Sequence, residues 1–193
     1  DFIKNDNVAL ILGDNFFYGQ SLSLKLRENT KLKSGAKIFL HKVSKPELYG
    51  VAKIGQNNKI IKIVEKPKKY ISDYAITGLY FFDNKVVNFA KKLKPSRRGE
   101  TEIIDLLNKY KKNNKLRADL LGRGGAWLDT GSIKDFYNTS TFVSAIESRQ
   151  GFKIACLEEI AFSNKWINKK EVINSIKFYG NCEYSNYLKK IIS

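Results

Sequence analysis

Acidic residues are scarce in this chain: 19 Asp and Glu stand against 35 Lys and Arg, for a formal net charge of +16 over 193 residues. Such a surplus attracts anions, but the lysines are scattered rather than massed with aromatics in one segment. That pattern suits a nucleotide or sugar phosphate and gives no particular support to nucleic-acid binding. Cysteine is limited to Cys156 and Cys182, with no CxxC pair and no neighbouring histidine, which suggests neither a zinc site nor a disulfide framework. A reducing, cytoplasmic setting is the simpler expectation. His41 is the one histidine, so hydrolase constellations of Ser, His and Asp and His-based metal clusters have no support.

No apolar run approaches the roughly 20 residues that span a bilayer, and no signal-type segment opens the chain. Methionine is absent altogether, so Asp1 is not expected to be an ordinary translation start, and processing or truncation is expected to have removed what preceded it. With three prolines in total there is no Pro-rich linker, and no internal repeat marks a second independent domain.

What is present is enough for a sizeable core: 42% of the residues are hydrophobic. Val8 to Gly13 reads as a strand buried on both faces of a parallel sheet. Leu22 to Glu28 suits a short helix capped by Ser21, and Lys37 to Val43 the next strand. The runs 51–54 and 60–64 flank Gly55-Gln-Asn-Asn58, good turn chemistry for a hairpin. Ala75 to Phe82 is another strand, followed by a helix capped at Asp83-Asn84. Ile103, Leu106, Leu107 and Tyr110 mark the apolar face of a further helix. Two short strands, 117–121 and 126–128, surround Gly122-Arg-Gly-Gly125. A helix opens at Ser132, and from Gly151 the chain is helical with short breaks, Asn168 and Glu171 giving a capping signal.

Two aspartates end strand-like runs: Asp14 in Leu12-Gly-Asp-Asn15 and Asp129 in Trp127-Leu-Asp-Thr-Gly131. Carboxylates just past the carboxyl ends of buried strands lie where open α/β sheets bind ligands, and two of them suit a hard cation held against phosphate oxygens. A helix-cap or turn role is the competing reading for each, since Asn15 and Thr130-Gly131 follow them. Glu65-Lys66 closes an apolar strand before Pro67, and from the residues alone it reads first as a solvated pair at a strand end.

Taken in order, Leu12-Gly-Asp-Asn-Phe-Phe-Tyr-Gly19, Tyr49-Gly-Val51, Glu65-Lys-Pro67, Thr77-Gly-Leu-Tyr80, Arg98-Gly-Glu100, Gly122-Arg-Gly124, Trp127-Leu-Asp-Thr-Gly131 and Arg149-Gln-Gly-Phe-Lys-Ile-Ala-Cys-Leu-Glu-Glu-Ile160 resemble the glucose-1-phosphate thymidylyltransferases. The resemblance spans nearly the whole chain. It implies an α/β three-layer sandwich with a mixed, mainly parallel sheet and a helical C-terminal part. One nucleotidyltransferase domain over residues 1–193 is expected, with 1–150 the sheet and sugar-binding part and 151–193 helical. The family joins glucose 1-phosphate to dTTP, giving dTDP-glucose and pyrophosphate with magnesium, and so serves dTDP-rhamnose and cell-surface polysaccharide synthesis. Its N-terminal Gly-x-Gly-Thr-Arg-Leu loop and Lys-Gln-Leu-Leu-Pro segment do not occur here. The chain is therefore expected to be the last two-thirds of such an enzyme, and inactive alone.

Residue by residue, the resemblance makes Asp14 and Asp129 magnesium ligands, with Lys66 and Arg98 also catalytic through the sugar phosphate. Glu65 would accept hydrogen bonds from sugar hydroxyls and Gly50 would lie against the glucose ring. Tyr49, Thr77, Gly78, Tyr80 and Trp127 would line the sugar site, with Ile76 as apolar wall. Tyr18, Gly19, Arg123, Ala155, Glu159 and Ile160 match a regulatory nucleotide site for dTDP-rhamnose, although Ser163 stands where many members have a basic residue. Members form tetramers, so a homo-oligomer is implied. A UTP- or CTP-using transferase, or a non-catalytic remnant that binds sugar phosphate or partners, remain the alternatives.

Overall fold

The structure is a computed structural model that describes residues 2–96, 99 and 101–193. Two compact units divide it, Asp1–Ser132 and Ile133–Ser193. The division falls where the last strand has ended and a long helix begins, earlier than residue 150.

The first unit is built on β6 (Tyr74–Phe82), whose nine residues are almost all buried. Its run Ala75-Ile-Thr-Gly-Leu-Tyr-Phe-Phe82 is apolar on both faces, so it takes the middle of the sheet, as a strand covered on both sides must. The sheet order is β5 (Ile60–Glu65), β4 (Gly50–Ile54), β6, β3 (Ala36–Lys42), β7 (Leu116–Leu120), with β1 (Val8–Ile11) also paired to β6. The sheet is mixed, as expected. Among the described pairings only β3–β7 is parallel, and β1–β6, β3–β6, β4–β5 and β4–β6 are antiparallel. The parallel share is thus smaller than the motif pattern suggests.

Burial of β1 differs from expectation too. Val8 is half-buried, while Ala9, Leu10 and Ile11 are exposed; among the described residues β1 pairs along one edge only, with β6. The segment after it forms β2 (Asn15–Tyr18), a strand the sequence pattern did not reveal, in a two-stranded antiparallel ribbon with β8 (Ala126–Asp129). Two-stranded ribbons carry little apolar alternation, so their sequence signal is weak.

Helix α1 (Leu22–Asn29) follows β2, α2 (Lys85–Lys91) follows β6, and α3 (Ile103–Lys112) precedes β7. Leu106, Leu107 and Tyr110 of α3 are buried with Ile38, Leu40, Tyr80 and Phe82 in the main core. The opposite face is smaller, with Phe39, Leu79 and Phe81 packed against Phe17 and Leu26. Asp83 ties the lower end together, accepting from Gly35 N at 2.6 Å and from the Tyr110 hydroxyl at 2.8 Å. Its carboxylate also receives Lys85 N at 3.2 Å, so the expected cap of α2 falls to Asp83 rather than to Asn84. The β4–β5 hairpin turns through Asn57 and Asn58, both left-handed at φ 52° and 54°, a conformation that asparagine tolerates.

The second unit is helical: α4 (Ile133–Gln150), α5 (Leu157–Ser163), α6 (Lys169–Tyr179) and α7 (Glu183–Ile191). Cys156, Val172, Tyr187 and Leu188 form its core. Asn168 and Glu171 make the anticipated capping box at α6. Tyr184 and Tyr187 of α7 donate to Glu158 and Glu159 of α5 at 2.5 and 2.6 Å, which fixes those two helices together. Among the described residues no helix is long and apolar enough to cross a membrane.

Candidate functional site

The site grows from the turn after β1. Leu12 N donates to Gly78 O at 2.9 Å and Asn15 N to Leu12 O at 3.1 Å, so the chain reverses at Gly13 and presents Asp14 and Asn15 beside the middle of β6. The ribbon then pairs Asn15 with Asp129. Thr130 donates to the Asp14 carbonyl through both its N–H, at 2.7 Å, and its hydroxyl, at 2.8 Å. Two residues distant by more than a hundred positions thus meet at one spot.

Gly131 measures how close their carboxylates come. A Cβ placed there would lie 3.0 Å from Asp129 Oδ1 and 3.7 Å from Asp14 Oδ2. Both carboxylates border the same small space, and Gly131 N already donates to Asp129 Oδ1 at 2.9 Å. Among the described residues no group of three or more Asp, Glu, His or Cys side chains is placed to hold a metal. Two carboxylates and open directions suit a hard cation of the magnesium kind, which retains water and takes ligand phosphate oxygens.

Asn15 fixes this arrangement, and the sequence reading had noted it only as a turn residue. Its Oδ1 accepts from Gly78 N at 3.0 Å and from the Trp127 indole Nε1 at 2.6 Å, while its Nδ2 donates to Asp14 Oδ1 at 2.8 Å. A Cβ on Gly78 would stand 2.6–2.8 Å from the atoms of that amide. Glycine is required there because the Asn15 side chain occupies the place of a Cβ.

Beside the aspartates lies a cavity of about 220 Å³, below the range of drug-sized sites and suited to a small metabolite. Tyr49, Gly50, Glu65 and Lys66 form one side, Gly78 and Tyr80 the back, Trp127 and Asp129 the edge towards Asp14. The remaining wall is apolar: Leu12, Leu48, Ile76, Ile103 and Ile104. Ile103 and Ile104 come from the first turn of α3, and the spacing of α3 pointed only to a core helix. Gly50 is paired with Glu65 across the hairpin, and a Cβ there would stand 2.9 Å from Glu65 Oε2 and 3.4 Å from Ile104 Cδ1.

Lys66 closes β5 in a left-handed conformation, φ 39°, held by its N–H donating to Tyr49 O at 3.0 Å. A non-glycine residue in that region carries backbone strain. Tyr80 is buried; loss of water first, and then the Glu65 charge, hold its phenol protonated well above the usual range. It can therefore donate a hydrogen bond at any physiological pH.

One expectation changes. Thr77 does not face the cavity with its side chain: it is fully buried and its hydroxyl donates to Phe39 O at 3.0 Å, because alternation along β6 turns it to the opposite face from Ile76 and Gly78. Arg98, with its rival Arg97, lies outside the described residues. The residues that the motif resemblance assigned to a regulatory nucleotide site fall in both units. Tyr18, Gly19 and Arg123 belong to the β2–β8 ribbon and its loop in the first. In the second, Ala155 precedes α5 while Glu159 and Ile160 lie on it, and Glu159 accepts from Tyr187.

His41 is half-buried with its ring edge-on to Trp127, 6.5 Å between centroids, and Trp127 in turn meets Tyr49 at 5.1 Å. Its Nδ1 is buried without a partner, and burial lowers its pKa from 6.5. The unfolded chain then binds the proton more readily than the folded one. Stability should fall as pH drops below about 6.5 and be regained above it, and His41→Phe should flatten that part of the urea-midpoint profile between pH 5 and 7. A profile unaltered by the substitution would show that other groups cause it.

The class of protein follows from this fold and site. Residues 1–145 match the family model described as nucleotidyl transferase. A glucose-1-phosphate thymidylyltransferase of Neisseria meningitidis is 43% identical over 192 residues, the match covering 100% of this chain and 67% of the relative. Its counterpart in Neisseria gonorrhoeae is 46% identical with the same coverage, and that of Xanthomonas campestris 43%, over 97% of this chain and 64% of the relative. The chain thus belongs to the glucose-1-phosphate thymidylyltransferase family, and it spans about two-thirds of the length of these relatives. A Bacillus anthracis structure assigned to the same activity, solved with sucrose, superposes with a TM-score of 0.64 at 43% identity, over 73% of this chain and 56% of that one. A UDP-glucose pyrophosphorylase with UDP-glucose shares the fold at 23% identity, with a TM-score of 0.63 over 72% of this chain and 57% of its own.

Proposed function

We propose that the chain carries the sugar-phosphate side of a thymidylyl-transfer site, which in the complete protein joins glucose 1-phosphate to dTTP. A phosphate oxygen of the sugar attacks the α-phosphorus of the nucleotide, forming one P–O bond. The bond from the α-phosphorus to the bridging oxygen breaks, and pyrophosphate leaves. No strong base is needed, since the attacking oxygen is already ionised, and positioning with charge neutralisation supplies the rate.

The observation that carries this reading is the cavity in which Glu65, Lys66, Gly50 and Tyr80 surround a space bordered by Asp129. Glu65 accepts from sugar hydroxyls, Tyr80 donates, and the Lys66 ammonium draws the phosphate towards the aspartates. Trp127 and the isoleucines exclude water from the sugar face. Asp14 and Asp129 would hold magnesium, which when bound neutralises charge growing on the non-bridging oxygens. Arg98 would add a second cation to the phosphate, and Tyr49 a ring beside the sugar. In this proposal Tyr18, Gly19, Arg123, Ala155, Glu159 and Ile160 answer to dTDP-rhamnose as a feedback ligand, in a homo-oligomeric enzyme of the cytoplasm.

The test is titration of the chain with glucose 1-phosphate in a calorimeter, wild type against Gly50→Ala. The added methyl must displace the end of the Glu65 side chain, a flexible group, so folding survives while the sugar contact shifts. Binding should weaken about tenfold, about 1.4 kcal/mol, with the melting temperature unchanged. Equal affinities would remove Glu65 and Gly50 from the sugar site. In the complete protein, pyrophosphate release should favour dTTP over UTP and CTP.

A further inference from the structure

Past the end of β6 lies a cavity of about 310 Å³ that shares no residue with the one bordered by Asp129, nor with the residues assigned by motif to a regulatory nucleotide. Its volume falls within the range of small-molecule sites. Helix α3 separates it from the first cavity: Ile104 in the first turn walls the one and Tyr110 in the last turn the other, roughly 10 Å apart along the axis at 1.5 Å per residue.

Three segments build this cavity, tied by bonds among themselves. Asp83 N donates to Gly35 O at 2.8 Å, and Gly35 N returns a bond to Asp83 Oδ2 at 2.6 Å. Ala36 N donates to Lys115 O at 2.8 Å. Gly35 is left-handed at φ 91°, and a Cβ there would stand 2.5 Å from Lys115 O. That turn sets Ser34 against Lys115, whose ammonium donates to the Ser34 hydroxyl oxygen at 3.3 Å. The floor is aromatic: Phe89, only partly buried, meets Tyr110 edge-on with 5.0 Å between ring centroids.

Asp83 is the one acidic residue in the lining, and its carboxylate is already committed. Besides Gly35 N it accepts from the Tyr110 hydroxyl at 2.8 Å and from Lys85 N at 3.2 Å. A cation would therefore find no free carboxylate. Lys85 and Lys115 are both exposed, and among the described residues neither is ion-paired. Two lysines, the Ser34 hydroxyl and the Asn113 amide thus border a hollow with an aromatic floor. A group with several anionic oxygens satisfies such a rim, since lysine holds phosphate as a point charge and hydroxyl and amide hydrogens complete its shell. A planar ring packs well against Phe89. We propose that this cavity binds a small phosphate monoester bearing a planar ring, its phosphate held by Lys85 and Lys115 and its ring laid on Phe89.

Phenyl phosphate is the probe, titrated into the chain at about 0.15 M salt so that the general positive field is screened, and followed by two-dimensional amide NMR. Saturable shifts should centre on Gly35, Asp83, Phe89 and Lys115, with inorganic phosphate binding at least tenfold more weakly because it lacks the ring. Lys85→Ala combined with Lys115→Ala should weaken phenyl phosphate at least tenfold at an unchanged urea midpoint, both side chains being exposed. Should that double variant fail to fold, Lys85→Gln alone reads the same contact as a threefold loss. Absence of saturation at millimolar concentration would overturn the proposal. So would equal affinity for inorganic phosphate, which marks attraction by charge alone, or an affinity unchanged in the lysine variants. Shifts centred instead on Gly50, Gly78 and Asp129 would put the phosphate in the other cavity and overturn it as well. The positions of the shifts tell the two cavities apart, so failure here leaves the sugar-site reading untouched.

Discussion

Gly78→Ala is expected to lower turnover of the complete enzyme about a hundredfold. The new methyl would stand 2.6–2.8 Å from three atoms of the Asn15 amide, which would have to leave its place. Three contacts go with it: the bonds from Gly78 N and from the Trp127 indole, and the donation to Asp14. Trp127 lines the cavity proposed to take the sugar, and Asp14 is one of the two converging carboxylates, so a single methyl disturbs both halves of the proposed site. Shifts of about 1 Å in positioning groups cost roughly a hundredfold in rate. Overpacking in a core strand costs about 1–3 kcal/mol of stability as well, so a lower urea midpoint is also expected. The two effects separate by spectroscopy, because loss of the indole hydrogen bond should alter the emission of Trp127 while Trp166 reports unchanged. Wild-type turnover and emission in the alanine variant would refute the role given to Asn15.

Asp129→Asn is the second large effect, and its cause is charge rather than shape. The amide oxygen of asparagine can still accept from Gly131 N, where the carboxylate accepts at 2.9 Å, so the turn after β8 should persist. What disappears is half the negative charge bordering the space next to Gly131. Turnover should fall by a hundredfold or more, on the order of what one electrostatic stabiliser contributes in a dry site. Raising magnesium should recover part of the loss if weakened metal binding causes it. Near-normal turnover at low magnesium would remove Asp129 from the proposed metal site, independently of the proposed sugar contacts.

Gly50, Gly78 and Gly131 illustrate how much of the site was legible from the chain. Motif order marked the first two as parts of a sugar pocket and Asp129-Thr-Gly131 as a strand-end turn. Why Gly78 must be glycine, and what a methyl would press on at Gly50 and Gly131, follow only from what borders the missing Cβ: Asn15, Glu65, and the carboxylates of Asp129 and Asp14. Thr77 shows the converse. Its motif neighbours face the cavity, but strand alternation turns its hydroxyl to Phe39, and alternation needs a known register before it can be applied. Ile103 reads from spacing as part of the apolar face of a core helix, and Ile104 carries no sequence signal of its own, since amphipathic spacing cannot tell a core from the rim of a pocket.

Element types were written in local sequence because local chemistry decides them. The apolar run of β6, the spacing of α3, the Asn-Asn turn between β4 and β5 and the capping box of α6 depend on near neighbours and were readable without coordinates. The sequence by itself also determined a basic, cysteine-poor α/β chain with the ordered motifs of its family. Only the tertiary structure decided that Asp14 and Asp129 border one space, that Asn15 connects Gly78, Trp127 and Asp14, and that Thr77 turns away from the cavity its neighbours line. Those contacts join residues scores of positions apart through backbone pairing, and pairing partners are set by the packing of the whole sheet rather than by any one segment.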